Sequence, residues 1–504
     1  MRLVPVVVDS HLRLDGNLIG HDLAEVIFDE LTIHNTAKDV AKRSQRWGWQ
    51  DLPDEFQLGE LDGDTVIMPR GYAYQLKTLL REQGMKVRWH DHRRWRRGKA
   101  LGNGKLVLRP HQVKAAREMA RNQQGMYEAP TGSGKTVTCI GFIQQKAPAK
   151  TLILTDQIGL VNQWRKEIAQ WFDIDIDEVG QIGGGKWIEG ERITIATVQT
   201  LWSKLKGEDD IESIKEFFDD WDVVIIDECH HVTAETIQSL VTRFTAKYRF
   251  GVSATPDRKD DKFEFALAVL GEVFWQDDEE QLRERGVLVR PTVQVVKTDF
   301  DFAYWGDHEA DDDYECEVPG CKFHGKRPHF HRNNYANLKT ALIEDPDRNY
   351  LVVDTLLRQI YDGEHHHLIV SDEIRQLDAL REALYYKTLL IKDLPEIFTM
   401  TGQVTGKKRV EIKAAIEAAP AAIIFATVAK EGLDIPAIDR IYLPFPTKNP
   451  KKVQQWIGRG TRTAEGKEDT LILDFFDINV GVLKSQFRSR RFGCYDKLDI
   501  EVRL

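Results

Sequence analysis

Cysteine is scarce in this chain. Cys139, Cys229, Cys316, Cys321 and Cys494 are the only five among 504 residues, an odd and sparse set that argues against a disulfide framework and for a reducing, intracellular, cytoplasmic setting. Long apolar runs are missing as well. No stretch approaches about 18 consecutive apolar residues, so no membrane-spanning helix is expected. The opening MRLVPVVVDSHLRLDG is broken early by Asp, His and Arg, and it lacks the charged start, apolar stretch and small-residue cleavage site of a signal peptide. Positive charge is not in excess either: 70 Lys and Arg face 80 Asp and Glu, for a net charge of −10. That balance excludes a protein coated in basic surface. Any contact with nucleic acid must come from local clusters on an acidic body.

What is present is a globular composition, 42% hydrophobic and 30% charged, in a chain too long for a single core. From Leu106 to Asp257, short β-branched runs alternate with helical patterns, as in TLILT (151–155), ITIAT (193–197), DVVIID (222–227) and FGVSAT (250–255). This alternation predicts a parallel sheet covered by helices on both faces. It recurs in HLIVSD (367–372), AIIFAT (422–427), RIYLPF (440–445) and TLILDFF (470–476). The expected fold class is therefore α/β, with two tandem parallel-sheet lobes. Residues 1–100 mix the strands RLVPVVV and DTVIMP with the helix YAYQLKTLLREQG, which predicts a small α+β N-terminal domain. The expected division is 1–100, then a first lobe at 101–290 and a second at 291–480 with an insertion at about 300–335. A short basic C-terminal tail, 481–504, carries Arg488, Arg490 and Arg491.

The strongest local signal is APTGSGKT, Ala129 to Thr136. Gly132 and Gly134 let successive N–H groups converge, and Pro130, Thr131 and Ser133 complete a cradle for phosphate at a helix N-terminus. Lys135 is placed to reach the β and γ phosphates of ATP, and the Thr136 hydroxyl to sit on Mg²⁺. Ala129 stands where such loops usually begin with Gly. Further on, VVIIDECHH (223–231) sets two carboxylates at the C-terminal end of a strand, where ligands bind in open α/β sheets. Asp227 is expected to hold magnesium, and Glu228 to orient or deprotonate the attacking water.

With these two motifs in place, the chain resembles the superfamily 2 helicases, and the likeness runs from about residue 106 to 476. LRPHQ (108–112) resembles the adenine-reading segment, with Gln112 on the base and Arg109 nearby. Ser253-Ala254-Thr255 resembles the element that couples nucleotide state to lobe movement. Met400-Thr401-Gly402 and ATVAKEGLDIP (426–436) resemble second-lobe motifs that touch strand and nucleotide, the latter through Gly432 and Asp434. QQWIGRGTR (454–462) resembles the arginine motif, mapped onto Gln455, Gly458, Arg459 and Arg462. The resemblance implies two RecA-like lobes and a magnesium-dependent ATPase in which Arg462 is the finger and Arg459 a γ-phosphate or inter-lobe contact. It also points to Thr155, Gln157, Thr197, Gln199, Thr401, Gly402 and Thr427 as backbone contacts to DNA, which position without reading sequence.

DECH followed by SAT resembles the XPB-like branch. The IGGG segment, the WIGRGTR block leading into LILDFFD and the N-terminal domain resemble the UvsW-like group. That implies an enzyme of DNA repair or recombination that unwinds, anneals or migrates duplex, forked or branched DNA without sequence specificity. The alternatives are an ATP-gated DNA-binding remodeller, the motor subunit of a restriction or defence complex, and an RNA helicase. No nuclease motif accompanies the lobes.

Three clusters lie outside the motor motifs. KVRWHDHRRWRRGK (86–99) sets Arg88, Arg93, Arg94, Arg96, Arg97 and Lys99 beside Trp89 and Trp95, giving charge plus stacking surface for DNA; the alternative is a linker whose tryptophans pack against the motor. Any four of Cys316, Cys321, His324, His329 and His331 would complete a tetrahedral zinc site, against the alternative of a histidine-rich loop. His365-His366-His367 reads as a loop before a strand, and IGGGKW (182–187) as a close-approach loop near DNA or an ordinary turn.

Overall fold

A computed structural model describes residues 2–43, 48–96, 106–146, 149–206, 210–229, 240–254, 261–302, 332–391, 393–402, 404, 406–427 and 435–504. The chain forms two compact units, Met1–Glu279 and Glu280–Leu504.

The first unit begins with β1 (Arg2–Val8), β2 (His11–Asp15), β3 (Thr32–His34), β4 (Glu55–Gln57), β5 (Glu60–Asp62), β6 (Thr65–Pro69) and β7 (Met85–Asp91). Five of them make a sheet in the order β5-β6-β2-β1-β7, antiparallel except for the β1–β7 pair, while β3 pairs with β4. Alternate residues of a strand face opposite sides, so Val4, Val6, Val8, Leu12 and Leu14 pack on Ile27, Leu76 and Leu80 of two helices. This is the α+β domain expected from the sequence.

It is followed by β8 (Gln124–Glu128), β9 (Thr151–Thr155), β10 (Val179–Gly183), β11 (Lys186–Ile188), β12 (Ile193–Thr197), β13 (Val223–Asp227), β14 (Tyr248–Ser253) and β15 (Val273–Gln276). Their order is β11-β10-β12-β9-β13-β14-β8-β15, parallel apart from the β10–β11 hairpin. The central strands are apolar throughout because both faces are covered. Ile153, Ile193, Ile195 and Ile225 enter one core, and Leu152, Leu154, Ala196 and Val224 the other.

Buried arginines tie the small sheet to the parallel one. Arg70, wholly buried, donates to Gln124 Oε1 at 2.7 Å and to the carbonyls of Ala246 at 2.7 Å and Asp9 at 3.2 Å. Arg249 donates to the carbonyls of Val269 at 2.8 Å and Val241 at 3.0 Å, with Ser10 at 3.4 Å. Beside them, a side chain on Gly71 would meet the Ala268 carbonyl at 2.4 Å.

The second unit holds β16 (Pro291–Thr298), β17 (His366–Ser371), β18 (Glu396–Met400), β19 (Ala422–Thr427), β20 (Ile438–Leu443), β21 (Thr470–Asp477) and β22 (Glu501–Arg503). They form one parallel sheet in the order β18-β19-β17-β20-β21-β16-β22. Two expectations change here. Residues 481–504 are not a tail: a helix Gly481–Arg490, a π-helical turn Arg491–Tyr495 and β22 complete the unit. Around the arginines, Leu483, Phe487, Cys494 and Tyr495 are buried and anchor the segment. Nor are the histidines a loop, because His366 and His367 open β17; His367 Nδ1 lies 3.0 Å from the Tyr442 hydroxyl, and His366 Nε2 lies 3.1 Å from the Ile416 carbonyl. The boundary also falls earlier than 290, since Val289 N–H donates to the Thr461 carbonyl at 2.7 Å.

Candidate nucleotide site

The phosphate loop joins the end of β8 to the helix Lys135–Lys146. Gly132 and Gly134 sit at φ +90° and +88°, a region that glycine enters without steric cost. At Gly134 space is also short: a Cβ would meet the Gln112 amide nitrogen at 2.4 Å. That amide braces the loop. Gln112 Nε2 donates to the Ser133 and Gly134 carbonyls at 3.3 and 3.4 Å, its Oε1 accepts Arg109 N–H at 2.9 Å, and His111 Nε2 lies 3.1 Å from the Ser133 carbonyl. Gln112 therefore supports the phosphate cradle, and contact with a base would require exchanging these bonds. Arg109 stands at the N-cap of the helix Pro110–Asn122. Pro130, Thr131 and Thr136 are half-buried, while the hydroxyl of Ser133 is buried without a bonding partner among the described residues.

The acidic pair lies across this loop. Lys135 Nζ donates to Glu228 Oε1 at 2.9 Å. Asp227 closes β13 and is in register with Val252 of β14, whose next residue, Ser253, is in register with Glu128 at the head of the loop. The Ser253 carbonyl accepts the Ala129 N–H at 3.0 Å, so the end of β14 and the phosphate loop are directly joined. Ala254 follows at the strand end, half-buried.

Burial pushes the Asp227 carboxyl up to about 6, and the neighbouring Glu228 charge acts in the same direction. Glu228 sits at φ +46°, a conformation that is uncommon away from glycine and found at functional sites. Burial raises the Cys229 thiol to about 12, which suits an inert spacer. The residues fit a magnesium-bound polyphosphate: a helix N-terminus, a left-handed glycine loop, a buried hydroxyl without a bonding partner among the described residues, one lysine, and a carboxylate whose hydrogen bonds among the described residues come from an indole and a backbone N–H. Thr136 and Asp227 are the groups that could hold the metal.

Sequence reasoning missed Trp164. Its indole N–H donates to Asp227 Oδ2 at 2.8 Å. The available signal was helical spacing, since Val161, Trp164, Ile168 and Phe172 form the buried face of the helix Ile158–Phe172.

The candidate strand contacts of the first unit converge at one edge of the sheet. Thr155 and Thr197 are register partners on β9 and β12. Gln157 is the N-cap of the next helix, and Gln199 is exposed. Thr155 Oγ1 donates to the Gln157 carbonyl at 3.2 Å, and Thr197 Oγ1 to Thr200 Oγ1 at 2.7 Å. The IGGG segment is the β10–β11 hairpin turn and packs there too, for a Cβ on Gly183 would meet Thr197 Oγ1 at 2.9 Å and one on Gly184 would meet Ile158 at 3.0 Å.

The basic segment 86–96 is divided. Arg93 donates to both Asp91 oxygens at 2.7 and 2.8 Å and to Gln123 Oε1 at 2.7 Å. Arg96 binds Asp220 at 2.7 Å and the buried Asp222 at 3.3 Å, and Trp95 packs edge-on to Tyr248 at 5.1 Å. These three fasten the small domain to the parallel sheet, so a DNA contact by Arg93 or Arg96 would require opening ion pairs. Arg88, Trp89 and Arg94 are exposed.

In the second unit, Thr401 and Thr427 lie at the C-terminal ends of the paired strands β18 and β19, with Gly402 exposed beside Thr401. Gln455, Gly458 and Arg459 share one face of the helix Pro450–Gly460, with Arg462 just beyond it. The opposite face buries Val453, Trp456 and Ile457, and the Asn449 side chain caps the first turn through Lys451 N–H at 3.1 Å. Gln455 is exposed, whereas Arg459 and Arg462 are half-buried, and Arg462 bridges to Leu288.

Arg97, Thr255, Gly432, Asp434, Cys316, Cys321, His324, His329 and His331 lie outside the described residues. Among the described residues no group of three or more His, Cys, Asp or Glu is arranged to hold a metal ion, and no helix is long and apolar enough to cross a membrane.

Two family models match the chain: "Type III restriction enzyme, res subunit" over residues 105–258 and "Helicase conserved C-terminal domain" over 352–464. The chain is 30% identical over 179 residues to the "DNA 3'-5' translocase XPB2" of Sulfurisphaera tokodaii, covering 35% of this chain and 37% of that protein. It is 26% identical over 312 residues to the "DNA 3'-5' helicase XPB" of Mycobacterium tuberculosis, covering 60% and 53%. It spans about half or less of the length of these XPB relatives and of two "Putative DNA 3'-5' helicase Rad25" proteins, from Halobacterium salinarum and Haloarcula marismortui, that it also resembles. In fold it is similar to the ATP-dependent Type ISP restriction-modification enzyme LlaBIII bound to DNA, with a TM-score of 0.51, 16% identity and coverage of 79% of this chain and 31% of the other.

Proposed function

The chain belongs to the superfamily 2 helicases, and we propose that it is an ATP-driven DNA helicase or translocase working on duplex, forked or branched DNA without sequence specificity. The observation that carries this reading is the Lys135–Glu228 ion pair at 2.9 Å across a glycine loop that starts a helix. It sets a phosphate-seeking cation, a candidate base and a metal-seeking carboxylate within one constellation.

In this reading the loop N–H groups and Lys135 bind the β and γ phosphates. Magnesium held by Thr136 and Asp227 would supply charge neutralisation on the phosphate oxygens. When Lys135 turns from Glu228 to phosphate, that ion pair opens and the Glu228 carboxylate can orient water and accept its proton. The Ser253–Ala129 bond passes changes in the loop to the end of β14, in keeping with a coupling role for Ser253, Ala254 and Thr255. Arg459 and Arg462 are assigned by the resemblance to the arginine motif, whose positioned arginines contribute roughly 10³ to 10⁵ in rate. Thr155, Gln157, Thr197 and Gln199 grip the strand backbone, as do Thr401, Gly402 and Thr427. The XPB relatives support DNA as the partner and 3'-5' as the direction of movement.

The test is ATP turnover with single-stranded DNA, duplex, fork, four-way junction and RNA, beside Lys135→Ala. Stimulation by forks or junctions that Lys135→Ala abolishes is the expected result. Stimulation by RNA alone, or by no nucleic acid, overturns the reading. The description of the family model at 105–258 favours a second reading, the motor of a restriction complex; turnover that needs a nuclease partner chain would select it.

A further inference from the structure

Asp227 is the carboxylate on which the proposed chemistry depends, and the structure fixes it from two sides. Oδ1 accepts the Glu228 backbone N–H at 3.0 Å, and Oδ2 accepts the Trp164 indole N–H at 2.8 Å. Trp164 is only 2% exposed and comes from a separate element, the helix Ile158–Phe172. Its ring is wedged in a core that also holds Val161, Ile168, Phe172 and Ile225, so its N–H direction is set by packing. An ionised carboxylate has about four lone-pair sites. An indole bond on one oxygen therefore restricts rotation while leaving sites for a cation.

Position adds a second argument. The same helix begins at the Gln157 N-cap, where Thr155 and Thr197 converge, and Trp164 lies two turns further along it. One rigid rod thus joins the candidate strand-binding edge to the acidic end of β13.

We propose that Trp164 is a positioning residue: its indole N–H holds the Asp227 carboxylate in the orientation that receives a divalent cation with the nucleotide. This inference rests on the nucleotide-site reading above. In this assignment Trp164 is not itself a ligand; it acts as the outer hydrogen-bond partners of metal ligands do, orienting a group that binds.

The experiment uses the full chain and a fluorescent non-hydrolysable ATP analogue, with binding measured by anisotropy in magnesium and again in EDTA. Trp164→Phe keeps an aromatic ring and removes the donor. The expected result is a loss of about 10- to 100-fold in the magnesium-dependent part of the affinity, the range for removing an outer-shell partner, with binding in EDTA unchanged. The magnesium concentration for half-effect should rise in parallel. Equal weakening in both buffers would mark Trp164 as packing alone and overturn the inference, as would no weakening in either.

Should Trp164→Phe melt early, benzothienylalanine at position 164 settles the matter, because it keeps the bicyclic shape and lacks the N–H. The same magnesium-specific loss is expected, and its absence overturns the inference. A wild-type chain that binds the analogue in neither buffer would overturn the nucleotide-site reading and this inference together. Wild-type binding that the variants match overturns this inference alone.

Discussion

Strand β21 in the second unit and strand β13 in the first both carry buried aspartates, and their surroundings differ in kind. On β21, Asp474 accepts Arg490 Nη2 and Nε at 2.8 and 3.0 Å, and Asp477 accepts Arg348 Nε and Nη2 at 2.7 and 3.2 Å. The Tyr495 and Thr298 hydroxyls donate to these carboxylates as well, at 2.7 and 2.6 Å. On β13, Asp227 receives one indole N–H and one backbone N–H, and Lys135 is committed to Glu228. A buried acid with a forked arginine is a structural joint, since removing either partner strands the other charge. A buried acid that, among the described residues, is hydrogen-bonded by an indole and a backbone N–H and by no lysine or arginine, its carboxyl pushed up to about 6, has the electrostatics of a site prepared for an external cation.

The contrast can be broken in four ways. Asp227→Asn should lower ATP turnover by about 10³-fold, the upper end for removing one preorganised charge-stabilising group, while leaving urea unfolding unchanged or slightly improved. A large loss of stability in that variant would place Asp227 with the joints of β21. Arg490→Met should do the reverse: about 3 kcal/mol of unfolding free energy is lost and turnover by the folded fraction is retained.

The third test is pH. The raised Asp227 carboxyl, about 6 against an ordinary 3.8, means that the folded state keeps its proton after the unfolded chain has released it. Stability therefore falls as pH rises from about 4 to about 6, by roughly 3 kcal/mol, and is level above. Glu228 and Lys135 face the same carboxyl, so the assignment is made by Asp227→Asn, in which that slope should flatten. Wild-type turnover should run the other way, falling as pH drops through about 6, because the metal ligand must be ionised.

The smallest effects belong to the basic segment. Arg96→Ala should cost about 1.5 kcal/mol of stability, the low end for hydrogen bonds to charged groups, and leave the salt dependence of DNA binding alone. Arg88→Ala and Arg94→Ala should leave stability unchanged and, if these exposed groups meet phosphate, reduce the salt slope by about 1 each. An unchanged slope in both would remove the segment from the DNA surface.

How far the sequence could be read depended on whether the partners were neighbours in the chain. Gly132 and Gly134 announce their left-handed turn locally, because the demand for φ near +90° falls on the residue itself. The strand runs at 151–155, 193–197 and 223–227 were legible because a strand covered on both faces must be apolar at every position. Arg490 was not legible in the same way. A basic residue near a chain end looks solvated until Asp474, sixteen positions away, is found against it in a buried pair. Arg96 misled for the same reason, its acids Asp220 and Asp222 lying far along the chain.

The sequence by itself determined the α/β alternation, the small domain before it and the phosphate loop with its acidic pair, since each is a short-range pattern of polarity or backbone freedom. Only the tertiary structure decided that residues 481–504 extend the second sheet, that Arg93 and Arg96 serve as fasteners, and that an indole holds Asp227. Those are meetings of polar groups far apart in the chain. Burial makes an unmet hydrogen bond costly, but which group meets it is fixed only when the helices and strands pack.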